Sequence, residues 1–81
     1  MKRLLLYGTL GCHLCDEAMA LLAPTANTLG FELSEVDIAE SDSLMSEYAM
    51  RIPVAYREDI QMEMDWPFNP EDVGRFLSLE V

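Results

Sequence analysis

Positive charge is scarce in this chain. Five Lys and Arg stand against fifteen Asp and Glu, for a net charge of −10. Such a balance repels phosphate backbones and anionic lipid, so neither nucleic acid nor a membrane surface is expected as a partner. Two of the bases, Lys2 and Arg3, open the chain, leaving Arg51, Arg57 and Arg75 for everything else. Long apolar runs are missing too: none approaches the roughly 20 residues that a membrane-crossing helix needs. Met1-Lys2-Arg3 and the short apolar run after it are too little for a secretory signal, and no small-residue cleavage site follows. A cytoplasmic chain is therefore expected. His13 is the only histidine, so any Ser-His-Asp hydrolytic constellation within the chain would have to be built on it. There is no repeat, low-complexity stretch or linker in the 81 residues, which read as one domain, 1–81.

Cysteine is scarce as well, but its placement is informative. The only two form Cys12-His13-Leu14-Cys15, after the apolar run Leu4-Leu5-Leu6-Tyr7 and the turn Gly8-Thr9-Leu10-Gly11. Residues three apart share a helix face, so the two sulfurs can close a small disulfide without moving the backbone far. Structural disulfides are rare in reducing compartments, so a close pair there reads as catalytic or metal-binding.

Periodicity organises the rest. Leu4 to Tyr7 is continuously apolar, as in a strand buried on both faces. Cys15, Ala18, Met19 and Leu22 recur at helical spacing; Pro24 should kink or end that helix, and Gly30 stops whatever remains. Phe31 to Ile38 alternates as a second strand. Ser41 or Ser43 can cap a short helix whose inner face is Leu44, Met45, Tyr48 and Ala49. Arg51 to Tyr56 reads as a third strand. After a loop at Arg57-Glu58-Asp59, the alternating Ile60, Met62 and Met64 form a fourth. Asn69-Pro70-Glu71-Asp72 is a helix start, with Val73, Phe76 and Leu77 on the buried face. The expected architecture is α/β in the order β-α-β-α-β-β-α. A parallel pair and a hairpin make a four-stranded mixed sheet, with helices on both faces.

That order, with the cysteine pair opening the first helix, resembles the thioredoxin fold in its short glutaredoxin version, and within it the small glutaredoxin-like domain family. The likeness spans nearly the whole chain. It rests on Leu5-Leu6-Tyr7-Gly8, Cys12-His13-Leu14-Cys15-Asp16, Arg51-Ile52-Pro53-Val54 and Asp65-Trp66-Pro67-Phe68. It implies a thiol–disulfide oxidoreductase that reduces protein or small-molecule disulfides, with Cys12 as nucleophile and Cys15 as the resolving thiol. It further implies that Pro53 is cis and faces the cysteines, baring the N–H and C=O of Ile52 to an extended substrate. The sequence alone also permits a trans proline opening an edge strand. His13, Arg51, Ile52, Pro53 and Trp66 are the expected substrate-binding residues, Trp66 serving equally well as core packing.

Two departures from ordinary glutaredoxins stand out. Thr9-Leu10-Gly11 lacks the lysine that precedes the first cysteine there, and Asp65-Trp66-Pro67-Phe68 replaces their glycine turn. Glutathione would find Arg51 at best, so no cofactor is expected, with glutathione retained as an alternative. The expected partners are a disulfide-bearing protein or small thiol and a reductase, and the expected state is a monomer. A helix N-terminus lowers the pKa of Cys12, Asp16 and Glu17 oppose that, and a reductase-like poise is the balance. Competing readings are a binding module with vestigial redox activity and a dimer holding metal or an iron–sulfur cluster through Cys12. One chain cannot complete the four ligands that either metal group wants.

Overall fold

The computed structural model describes residues 2–80; Met1 and Val81, the ends of the expected domain, lie outside the described residues. Strand β1 (Lys2–Gly8) is central. It pairs in parallel with β2 (Phe31–Asp37) and antiparallel with β3 (Val54–Arg57), and β3 pairs antiparallel with β4 (Met62–Asp65). The sheet order is β2-β1-β3-β4. Helices α1 (His13–Leu29), α2 (Asp42–Tyr48) and α3 (Pro70–Ser78) complete the expected β-α-β-α-β-β-α order, with a 3-10 turn, Ile38–Glu40, before α2.

Alternation along β1 divides the core between two faces. Leu4 and Leu6 pack with Ala18, Leu22 and Ala26 of α1 and with Val73, Phe76 and Leu77 of α3. Leu5 and Tyr7 point the other way, onto Ile38, Tyr48 and Val54. Burying β1 on both sides is what its unbroken apolar run requires, and it fixes the register of the whole sheet.

Local chemistry sets the helix ends. Ser41 is the cap of α2, its hydroxyl accepting from Leu44 N–H at 3.3 Å. Asn69 and Asp72 close a reciprocal capping box on α3, with bonds of 2.8 and 3.0 Å. Gly30 ends α1 at a φ of 80°, in the left-handed region that residues with a side chain rarely adopt.

Several details differ from the periodicity: Ile38 leaves β2 for the 3-10 turn, and Arg57 closes β3 instead of opening a loop. Pro24 does not end α1, which runs on to Leu29. Ala20 and Pro24 both face solvent, so the carbonyl that lost its partner can bond water, while Leu22 and Ala26 stay buried on the opposite face. In α2 only Tyr48 is buried and Leu44 half-buried; Met45 and Ala49 face solvent, because a seven-residue helix offers one short stripe. Strand β3 starts at Val54, not Arg51, since the N–H groups of Arg51 and Ile52 both donate to the Tyr48 carbonyl and prolong the helix end. Ile60 belongs to the turn before β4, and Gln61 takes the positive φ of 54° that reverses the chain there.

Candidate functional site: a disulfide at the tip of the first helix

The β1–α1 turn delivers Cys12 to the N-cap of α1. Gly11 turns the chain at a φ of 78°, and Cys12 N–H donates to the Thr9 carbonyl at 3.3 Å. Cys12 itself has extended backbone angles. Its Sγ accepts from Cys15 N–H at 3.2 Å, where an N-cap hydroxyl would sit in another helix. The two sulfurs are joined as a disulfide across a Cα–Cα distance of 5.2 Å.

Their environments differ. Cys12 is half-buried and opens to solvent at the helix tip, whereas Cys15 is 1% exposed and belongs to the buried stripe of α1. Gly8 is what lets the deeper sulfur in: a β-carbon there would lie 2.7 Å from Cys15 Sγ. Periodicity does not reveal that requirement, because Gly8 merely ends an apolar run.

The antiparallel register brings in the proline loop. Tyr7 pairs with Val54, so one further step sets Pro53 opposite Gly8, on the same end of the sheet as the sulfurs. Pro53 is buried and its peptide bond with Ile52 is cis, as is the bond between Trp66 and Pro67. Trp66 N–H donates to the Pro53 carbonyl at 3.3 Å. The Trp66 ring is half-buried, edge-on to Phe68 at 5.0 Å, against the core of α1 and α3.

Other expected site residues have local duties. Ile52 N–H is taken by the Tyr48 carbonyl at 3.1 Å, so an extended substrate must displace that bond or use the Ile52 carbonyl. Arg51 stands over the Tyr48 ring at 5.1 Å and bonds Glu63 and Asp65, with Glu47 at 3.5 Å. Those carboxylates, Glu63 foremost, push the Arg51 pKa up. Its donors thus join α2 to β4 instead of standing open to an anionic ligand. His13 is 88% exposed and 3.7 Å from Glu17 along the helix. No group of three or more His, Cys, Asp or Glu able to hold a metal occurs among the described residues.

The Arg51 cluster includes a buried tyrosine stack that alternation did not single out. Tyr48 lies face to face with Tyr7 at 4.5 Å and donates its hydroxyl to Glu63. Burial, then that bond, raises the Tyr48 pKa; burial likewise raises that of Tyr7. The bonds from Tyr48 and Arg51 hold the Glu63 carboxyl below the usual glutamate range. The folded state therefore binds this proton less tightly than the unfolded chain. The stabilisation is complete above the ordinary glutamate pKa of about 4.3 and is lost as pH falls through the lower folded value. Glu63→Gln is expected to cost about 1 kcal/mol at neutral pH, since the group is partly solvated. Urea midpoints for mutant and wild type should converge on acidification. A gap that stays constant down to about pH 3 would exclude a role for the charge.

Comparison with known proteins agrees with this layout. The family model of the glutaredoxin-like domain (DUF836) matches residues 3–78. A structural-genomics target protein from X. campestris, XcR50, is similar at 34% identity. Its crystal structure gives a TM-score of 0.79 over 91% of this chain and 93% of that one. The solution structure of Ne2328 from Nitrosomonas europaea shares 31% identity, with a TM-score of 0.80 over 95% of this chain and 92% of that one. No curated protein matches. With the four-stranded sheet, flanking helices and a cysteine pair opening α1, the fold is thioredoxin-like. The chain belongs to the glutaredoxin-like domain family.

Proposed function

We propose that the protein is a dithiol–disulfide oxidoreductase that reduces disulfides through Cys12. The observation that carries this reading is the unequal burial of two sulfurs close enough to bond. In the reduced protein the Cys12 thiolate attacks one sulfur of a substrate disulfide. A mixed disulfide forms on Cys12, and the first substrate thiolate leaves and takes up a proton. Cys15, one helical turn on, loses its proton and attacks Cys12 Sγ. That closes the internal disulfide and releases the second substrate thiol. Two electrons have then moved from the protein to the substrate, and a thiol reductase restores the dithiol. The Cys15 N–H that bonds Cys12 Sγ would hold the attacking thiolate at the helix tip, where the dipole favours negative charge.

Two observations favour the other reading, a binding module on the same scaffold. Arg51 and the Ile52 N–H, both suited to gripping a thiol substrate, are already bonded within the protein. One assay separates the readings. The full chain is reduced with dithiothreitol, freed of it, and mixed with a disulfide peptide. An oxidoreductase releases two substrate thiols for each pair of protein thiols consumed. A module leaves the peptide intact.

A further inference from the structure

We propose, resting on the redox reading above, that the disulfide reduced at Cys12 is carried by a basic polypeptide and not by an anionic small thiol. The positions of the cations carry the argument. Lys2 and Arg3 begin β1, at the end of the sheet away from the sulfurs. Arg57 pairs with Leu4 toward that same end, and Arg75 lies on α3 against Glu71 and Asp72. The base nearest the cysteine end is Arg51, held among Glu47, Glu63 and Asp65. Among the described residues, no Lys or Arg at the cysteine end is without a carboxylate partner.

Negative charge, in contrast, collects around the disulfide. Asp16 follows it on the first turn of α1, and Glu17 comes next along the helix. On the other side of the β1–α1 turn lies a groove of about 420 Å³ between Thr9 and Leu10 and the end of β2, with Glu35, Val36, Asp37 and Glu40 completing its walls. The turn forming one wall also holds Cys12, through the Thr9 carbonyl. A lysine or arginine next to the substrate cysteine can lay its aliphatic stem on Leu10 and Val36 and reach Glu35 and Glu40 with its charged head.

Size points the same way. Leu10 is 90% exposed and Leu14 44% exposed on either side of Cys12, and Met50 is 97% exposed three residues before Pro53. Exposed apolar side chains on the helix tip and the two loops beside it suit a chain that passes over the disulfide more than a molecule confined to it. Glutathione disulfide, which carries net negative charge, meets repulsion on this face and no free cation to anchor it.

The test uses pre-reduced full-length protein in single turnover. Disulfide peptides of one sequence are compared, with the cysteine flanked by lysine, glutamine or glutamate, alongside glutathione disulfide. Each rate of thiol release is divided by that of a neutral dithiol, which removes differences in intrinsic reactivity. The lysine peptide should react about tenfold faster than the glutamate peptide at low salt. The difference should collapse near 1 M salt, where the screening length is about 3 Å. The double substitution Glu35→Lys, Glu40→Lys should shrink the lysine-to-glutamate ratio. Equal rates for all disulfides, a salt-independent preference, or glutathione disulfide outrunning the lysine peptide would each overturn this inference and leave the redox reading standing. Thiol release from none of them would overturn both.

Discussion

Cys12→Ser should reduce disulfide peptides no faster than buffer does, while Cys15→Ser should still attack and then stop. The asymmetry follows from burial under the proposed function: the sulfur at the helix tip is open to a substrate, and the one packed against Gly8 reaches only its neighbour. A serine hydroxyl at position 12 cannot form the mixed disulfide, and Cys15 is too enclosed to replace it. With serine at position 15 nothing resolves the intermediate, so one substrate thiol is released and the other half stays bound to Cys12. Intact-protein mass spectrometry without reductant would detect that adduct. An adduct on Cys15 in the Cys12→Ser variant, or full turnover by either variant, would refute the assigned roles. Neither substitution should unfold the protein, because β1 and α1 are held by Leu4, Leu6, Ala18 and Leu22 whatever the state of the disulfide.

The largest stability effect is expected at Arg57, far from the sulfurs. Its guanidinium is fully buried, yet each of its three nitrogens is bonded. It forks onto Asp59 at 2.6 and 3.1 Å and donates to the carbonyls of Phe76 and Leu79 at 2.9 and 2.7 Å. It also lies 4.9 Å from the Phe31 ring centroid. One side chain thus closes the C-terminal end of α3 onto β3 and the start of β2. Asp59 is held below its usual carboxylate range, chiefly by the bonds from Arg57. Arg57→Ala removes every one of these bonds and leaves a cavity, at a cost of about 3–5 kcal/mol. Domains of this size have only about 5–15 kcal/mol in total. Arg57→Met, which keeps most of the volume, should lose less. Urea unfolding measures both, and a loss under about 1 kcal/mol for Arg57→Ala would mean that the bonds are not what joins α3 to the sheet.

What could be read from the amino acids follows the range of the interaction. The cysteine pair at a strand-to-helix junction, the Gly30 stop and the helix start at Asn69-Pro70 are written within a few neighbouring residues, and all appear in the fold as expected. Pro24 illustrates the limit: intrinsic preference argues for a break, and packing of Leu22 and Ala26 overrides it. Arg57 shows the limit more plainly. In sequence it sits in a charged triplet that looks like a solvated loop, but the carbonyls it bonds lie 19 and 22 residues away. Similarly, the Tyr48 carbonyl that claims Ile52 N–H is invisible to strand alternation, which instead assigns Ile52 to β3. The cysteine pair was legible in the sequence, and the bonds that already occupy its surroundings were not.

The buried guanidinium and the reactive sulfurs mark opposite poles of one short central strand, Leu4 near the first and Gly8 at the second. Damage should therefore sort by position: loss of Arg57 erodes the amount of intact protein, and loss of either sulfur silences molecules that still melt normally. A library scored for both abundance and turnover would split along this axis. The exposed side chains beside the sulfurs, Leu10, Leu14 and Met50, are then free to be recast without jeopardising the scaffold.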